Sequence, residues 1–307
     1  MKARAILNPR AGLAATRALR ALENHPAWRG TEVMVTQARG DARAFASDAA
    51  AAGHEAVLSI GGDGTANETA WGLLGSDTAL GLVPMGSGNG LARTLGIPLD
   101  AARAVDTLAH AVRRRMDVGT VNGRPFLNVA GAGFDAQVGA DFHAHGLRGG
   151  RRGVLTYVRL SLLRTWSYRA EQWSLSAGEG RFEGRALVVA FVNGRQYGGG
   201  AIVAPGARLD DGLLDVVVIE DAPRFEMAWN STRLFFGGIE KFRRYRHHPA
   251  RTAVLEGVGP FVHHRDGEPE GESDRLEVSI QPLALAILVP AATAASPTGP
   301  FGLRKGA

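Results

Sequence analysis

The chain has 307 residues, 45% hydrophobic and 21% charged, which is ordinary for a globular protein and enough for one large or two ordinary cores. It holds no cysteine, so disulfides and thiolate chemistry are excluded. Net charge is +5, and Lys2, Lys241 and Lys305 are the only lysines among 35 basic residues, leaving 32 arginines. A P-loop or a protein-kinase site needs a lysine in a fixed motif that this chain lacks, so any phosphate site must rest on backbone N–H groups, arginine and metal.

No apolar run approaches the roughly 18 residues that span a bilayer. The basic start at Met1-Lys2 leads into an apolar stretch too short for a signal peptide. A cytoplasmic location is expected. Along the first third, strands are predicted at 4–7, 32–36, 56–60 and 79–83, with Ala-rich helices at 14–23, 42–52 and 66–74 between them. This alternation predicts a parallel sheet with helices on both faces. A further helix at 100–112 is expected to end in Arg113-Arg114-Arg115. Beyond about Val118 the pattern changes to strands at 124–129, 185–193, 213–219, 251–256 and 276–280, separated by Gly-rich turns. That predicts an antiparallel sandwich. An apolar strand at 283–289 fits either domain, and the segment after Pro290 has the composition of a tail. The expected organisation is an α/β domain at 1–120, a β-rich domain at 121–290 and a flexible tail at 291–307, with a cleft between the domains.

Two glycine loops follow buried strands. Gly61-Gly62-Asp63-Gly64-Thr65 comes after 56–60, and Gly86-Ser87-Gly88-Asn89-Gly90 comes after 79–83. Ligands of open parallel sheets bind beyond the carboxyl ends of the strands, and each loop enters a helix whose free N–H groups favour an anion. Glycine lets the backbone approach that anion closely. A plainer explanation is a pair of tight turns, but two such loops at sheet ends favour a phosphate site. Asp63 repels phosphate unless it holds Mg²⁺, bonds an N–H or ribose hydroxyl, or caps the helix.

These residues resemble a family. Asn8-Pro9, Thr36 with Gly40-Asp41, the loop 61–65, and P-M-G-S-G-N-G-L-A-R-T-L-G-I-P at 84–98 are similar to the diacylglycerol kinase catalytic domain, shared by bacterial lipid kinases and sphingosine kinases. N-V-A-G-A-G-F-D-A-Q-V at 128–138, L-D-D-G-L-L at 209–214 and Asp266-Gly267-Glu268 match its second domain in order. The resemblance implies a Rossmann-like nucleotide-binding domain, a β-sandwich-rich second domain, and a cleft where ATP with Mg²⁺ phosphorylates a lipid hydroxyl. It places Asn8, Thr36, Gly61, Gly62, Asp63, Gly64, Thr65, Ser87, Gly88 and Asn89 at the ATP and gives catalytic roles to Glu268, as general base, and Asp63. Asp211, with Asp210 or Asp215, would match the family's structural Mg²⁺ site, and Asp117 an acidic residue of its metal network. Many members carry Asp where this chain has Gly90, so the departure bears on how the metal or acceptor hydroxyl is held.

The expected acceptor is diacylglycerol, giving phosphatidic acid. A sphingoid base, a soluble alcohol, NAD, or a non-catalytic nucleotide- or lipid-binding sensor stay open as alternatives. The basic, aromatic stretch 147–169 could lie on an anionic membrane surface or pack one face on the second domain's sheet. The pairs His143 with His145, His247 with His248 and His263 with His264 lack zinc-ligand patterning and read as surface or strand residues. The run Arg243-Arg244-Tyr245-Arg246 carries no nucleic-acid motif, so a lipid at a membrane is the expected partner, nucleic acid is not, and a homodimer is allowed.

Overall fold

The computed structural model describes residues 1–9, 12–147, 167–197 and 200–302, together with Thr156, Arg159, Leu160 and Arg164. Most of the 147–169 stretch therefore lies outside the described residues. The chain divides into two compact units. One holds residues 1–118, 208–211 and 282–307, and the other holds 119–207 and 212–281.

In the first unit the order is β1 (Ala3–Leu7), α1 (Leu13–Asn24), β2 (Glu32–Val35), α2 (Asp41–Ala51), β3 (Ala56–Gly61), α3 (Asp63–Leu73), β4 (Ala79–Pro84), α4 (Gly90–Thr94) and α5 (Ala101–Ala109). The strands pair in parallel as β2-β1-β3-β4, and Ile287 pairs with Leu80 beyond β4. β3 and β4 are buried along their whole length, which is why they read as near-continuous apolar runs, broken only by Ser59, rather than alternating ones. The chain leaves β1 toward one edge and returns to β3 on the other side. With right-handed crossovers, that reversal puts α1 and α2 on opposite faces. Contacts agree, since α1 packs on α5 and α2 on α3. The switch point falls at the carboxyl ends of β1 and β3.

Two expectations need correction here. The helix predicted at 100–112 stops at Ala109, and Arg113–Arg115 lie in β5 (Val112–Val121). Each arginine there binds a main-chain carbonyl, of Glu55, Ala294 and Leu283 respectively, at 2.8, 3.0 and 3.2 Å. The tail is also not free up to residue 302. Thr293 Oγ1 donates to the Leu95 carbonyl at 2.8 Å, Arg208 donates to the carbonyls of Gly299 and Phe301 at 2.6 Å each, and Phe301 is buried.

The second unit adds β6 (Arg124–Phe126), β7 (Val129–Gly133), α6 (Phe134–Leu147), β8 (Glu171–Ala177), β9 (Gly180–Val192), β10 (Leu214–Glu220), β11 (Tyr245–Ala250), β12 (Thr252–Arg265) and β13 (Glu268–Val289), whose last residues run into the first unit. Pairing is antiparallel, and β9, against β10, and β12, against β13, each divide their other edge between two partners. Their outer halves pair with β8 and their inner halves with β7. A register shift between Glu256 and Phe261, at Gly257 and Gly259, lets β12 bend from one set to the other. The result is the β-sandwich-like layering the strand pattern predicted. Along β9 the alternation sorts the core, with Val189 and Phe191 facing the cluster around Trp173 and Phe261 and Val188, Ala190 and Val192 facing the opposite one. The single strand predicted at 124–129 is two, and the strands at 276–280 and 283–289 are one. β11 carries little apolar alternation, whereas β8, with Trp173, Leu175 and Ala177 alternating with polar residues, was overlooked.

Candidate active site

The candidate phosphate site stands at the switch point of the first unit. Asn8, just past β1, donates from its backbone to the Ile60 carbonyl at 3.0 Å and from Nδ2 to Thr65 Oγ1 at 3.1 Å. Thr36, just past β2, donates its N–H to Leu7 at 2.9 Å. The two glycine loops lie against each other. A Cβ on Gly62 would come within 3.3 Å of the Gly86 Cα, and one on Gly86 within 2.9 Å of the Gly62 Cα. A Cβ on Gly61 would strike Thr65 Oγ1 at 2.6 Å. Glycine is needed here for close approach.

Asp63 supplies the tie between the loops. Its carboxylate accepts the N–H groups of Asn89 and Gly90 at 2.8 and 3.0 Å. Of the roles open to it from sequence, the structure shows the bond to backbone N–H. Asn89 sits at φ 54°, and its side chain accepts from the Gly86 N–H at 2.9 Å and donates to the Gly86 carbonyl at 2.7 Å. Arg93 Nε holds the Gly88 carbonyl at 3.0 Å, and Glu68 on α3 accepts the Gly40 N–H at 3.0 Å. Ser87 is left exposed at the tip. The first-turn N–H groups of α3, from Asp63 through Thr65, lack intrahelical acceptors and face the strand ends. Below the loops lies a small pocket lined by Ser59, Leu82, Pro84, Leu91 and Ala92, where the buried Ser59 hydroxyl has no protein partner.

The acidic residues expected at metal are each engaged by protein groups. Asp117, fully buried, accepts the Leu283 N–H at 2.7 Å, and Asp210 accepts the Gly302 N–H at 2.8 Å. Asp211 is half-buried beside it. Asp117, Asp210 and Asp211 do not converge: among the described residues the one trio whose ligand atoms lie within 4.8 Å is His25, Asp106 and His110. That trio is poorly disposed for an ion, because His25 Nδ1 accepts the Ala27 N–H at 3.2 Å and so keeps its proton on the nitrogen turned to Asp106. In the second unit, buried Asp215 meets His247 Nε2 at 2.5 Å.

Glu268 opens β13 after a two-residue turn. Asp266 and Gly267 have φ 48° and 83° between the paired residues Arg265 and Glu268, the geometry of a type I′ hairpin. The Asp266 carboxylate accepts the N–H groups of Leu127, Asn128 and Val129 at 2.9, 2.8 and 3.2 Å. His264, buried, takes the Gly267 N–H on Nδ1 at 3.3 Å and meets Asp135 Oδ2 through Nε2 at 3.0 Å, and Tyr197 donates to the same oxygen at 2.5 Å. A Cβ on Gly131 would sit 2.7 Å from that oxygen, which accounts for one glycine of the 128–138 motif. The Glu268 carboxylate itself is part-exposed, 3.2 Å from His143 Nδ1 on α6. Sequence reading missed His143, His264, Asp135 and Tyr197. Asp135 stands in the 128–138 motif and His264 two residues before Asp266, and those positions were the signals available for them.

The first unit holds two backbone loops shaped for phosphate, and the second holds the Glu268 carboxylate on an anchored turn. Comparison with known proteins gives the class, a lipid kinase, which is a phosphotransferase with an alcohol acceptor. Residues 2–121 match the diacylglycerol kinase catalytic domain, and residues 128–289 match the YegS C-terminal NAD kinase beta sandwich-like domain. The chain is 37% identical over 269 residues to "Probable lipid kinase YegS-like" of Pseudomonas aeruginosa, covering 86% of each, and 34% identical over 264 residues to the protein of that name in Pseudomonas fluorescens, covering 84% of this chain and 85% of the other. The fold matches two crystal structures from Bacillus anthracis str. Sterne. One has a TM-score of 0.80 at 23% identity over 95% of this chain and 96% of that one. The other, described as a diacylglycerol kinase, has a TM-score of 0.73 at 22% identity over 95% and 97%. This chain belongs to the YegS-like lipid kinase family.

Proposed function

We propose that the protein is an ATP- and Mg²⁺-dependent kinase that phosphorylates the free hydroxyl of diacylglycerol at a membrane surface. The observation that carries this reading is the pair of glycine loops at the ends of β3 and β4, tied by Asp63 so closely that a side chain at Gly86 would strike the Gly62 backbone and one at Gly62 would crowd Gly86. Such a cradle fits a polyphosphate: the α3 N–H groups and the 86–89 loop would hold the β- and γ-phosphates by main chain alone, as a chain without a phosphate-binding lysine motif requires. Magnesium, when bound, neutralises charge on the phosphates. The carboxylates of Asp117, Asp210 and Asp211 do not form a cage for it by themselves, so the ion is proposed to enter with the nucleotide. Glu268 accepts the acceptor hydroxyl's proton, and His143 is placed to share it. The turn anchored by Asp266 and His264 limits how far Glu268 can stray.

The test is purified protein with γ-labelled ATP, Mg²⁺ and a panel of diacylglycerol, sphingoid base, soluble alcohols and NAD. Label in diacylglycerol, lost in Glu268→Gln while ATP still binds, is the expected result. Label confined to NAD or to a soluble alcohol rejects the reading, and full turnover in Glu268→Gln removes Glu268 as base.

A further inference from the structure

Four large aromatic side chains of the second unit stand in solvent on one short stretch. Phe225 is 77% exposed, Trp229 75%, Phe235 52% and Phe236 89%. They lie on the helices Arg224–Ser231 and Arg233–Phe236. Phe225 and Trp229, four residues apart, share a helix face. The opposite face is also apolar, for Met227 and Leu234 pack against a buried cluster and Asn230 is buried with its amide on the Glu226 carbonyl at 2.8 Å. A surface helix ordinarily turns polar groups outward. This one presents rings instead, an uncovered apolar area on the order of 500 Å² if each aromatic can bury roughly 150–250 Å². Patches of that size on soluble proteins mark interaction sites.

Charge indicates the partner. Between residues 224 and 246 stand Arg224, Arg233, Lys241, Arg243, Arg244 and Arg246 against Glu226 and Glu240, six minus two or net +4. Arg243 is held by Glu226 at 2.8 and 2.9 Å, while Glu220, just before that span, holds Arg246 at 2.6 Å and Arg244 at 3.5 Å and leaves the patch at +4 minus one, or +3. Arg224 and Lys241 form no ion pair among the described residues. A two-fold self-interface would set this positive patch against itself. An anionic bilayer attracts it, and aromatic rings ringed by arginine and lysine suit the boundary between headgroups and acyl chains. We propose that residues 224–236 dock the protein on an anionic membrane, with Phe225, Trp229, Phe235 and Phe236 entering the interface and Arg224 and Lys241 meeting lipid phosphates. This inference rests on the lipid-kinase reading, since docking would deliver the enzyme to a membrane-resident acceptor.

The experiment is sedimentation of the full-length protein with phosphatidylcholine vesicles, with and without phosphatidylglycerol. A triple variant Phe225→Ser, Trp229→Ser, Phe236→Ser is expected to lose binding by about tenfold or more, because the rings supply the apolar contact. Arg224→Gln with Lys241→Gln should weaken binding to anionic vesicles by roughly fivefold per charge and leave neutral vesicles unaffected. Phosphorylation of a short-chain, monomeric diacylglycerol should stay unchanged in both, which shows the fold and the chemistry intact. Wild-type protein that ignores vesicles, a triple variant that binds like wild type, or a wild-type dimer that the triple variant turns into monomer would each overturn the proposal. Ring-dependent vesicle binding without label in any lipid would uphold the surface and reject the kinase reading instead.

Discussion

Asp63→Asn isolates the contact that joins the two glycine loops. The natural carboxylate accepts two backbone N–H groups, of Asn89 at 2.8 Å and Gly90 at 3.0 Å. An amide offers one oxygen, and its NH₂ must then face the other N–H, donor against donor. Hydrogen bonds to a charged acceptor contribute about 1.5–3 kcal/mol each, so losing one at the buried Gly90 costs about 2 kcal/mol. At roughly 2–4 °C per kcal/mol for a unit of this size, the melting temperature should fall by about 4–8 °C. The loop 86–90 would also lose its register beside Gly62, so ATP affinity should drop together with stability. A thermal melt by circular dichroism and a calorimetric ATP titration measure both. A variant that melts within about 1 °C of the natural protein and binds ATP equally well would refute the reasoning.

Three further outcomes follow from the geometry. Gly86→Ala places a Cβ 2.9 Å from both the Gly62 Cα and Asn89 Oδ1, so it should cost about 1–3 kcal/mol and raise the KM for ATP more than it lowers kcat, as steady-state kinetics would show. His263 is held below its ordinary value of 6.5, first by burial and then by His264 and Arg265, against the opposing pull of Glu270. The unfolded chain therefore binds that proton more readily. Stability should be full above pH 6.5 and decline as pH falls through it, and melts at about pH 8 and pH 5.5 should differ less in His263→Gln. Gly90→Asp would bring a second carboxylate beside Asp63 at a buried position, so stability and activity should both fall. Turnover appearing only in that variant would instead make the natural chain a nucleotide-binding sensor.

What the sequence disclosed and what it hid divide along physical lines. β3 and β4 are buried on both faces, so their apolar runs were legible, and so were the glycines that end them. Asp63 was recognisable as out of place beside phosphate, but its partners Asn89 and Gly90 lie more than 25 residues away and only the fold brings them near. The arginines of β5 looked like a helix end because their partners, the carbonyls of Glu55, Ala294 and Leu283 and the Asp77 carboxylate, are all distant in sequence. Asp266 looked like a turn residue and is one, yet its three N–H contacts to 127–129 depend on pairing that local spacing does not encode. The exposed rings at 225–236 escaped notice for a different reason: their helical spacing is the same whether a face is buried or bare.

The account rests most heavily on where the triphosphate binds. A crystal structure of the protein with a non-hydrolysable ATP analogue and Mg²⁺ tests that directly. The β- and γ-phosphates should lie within hydrogen-bonding distance of the N–H groups of residues 62–65 and of the 86–89 loop. A nucleotide bound elsewhere, with those loops empty, would contradict it.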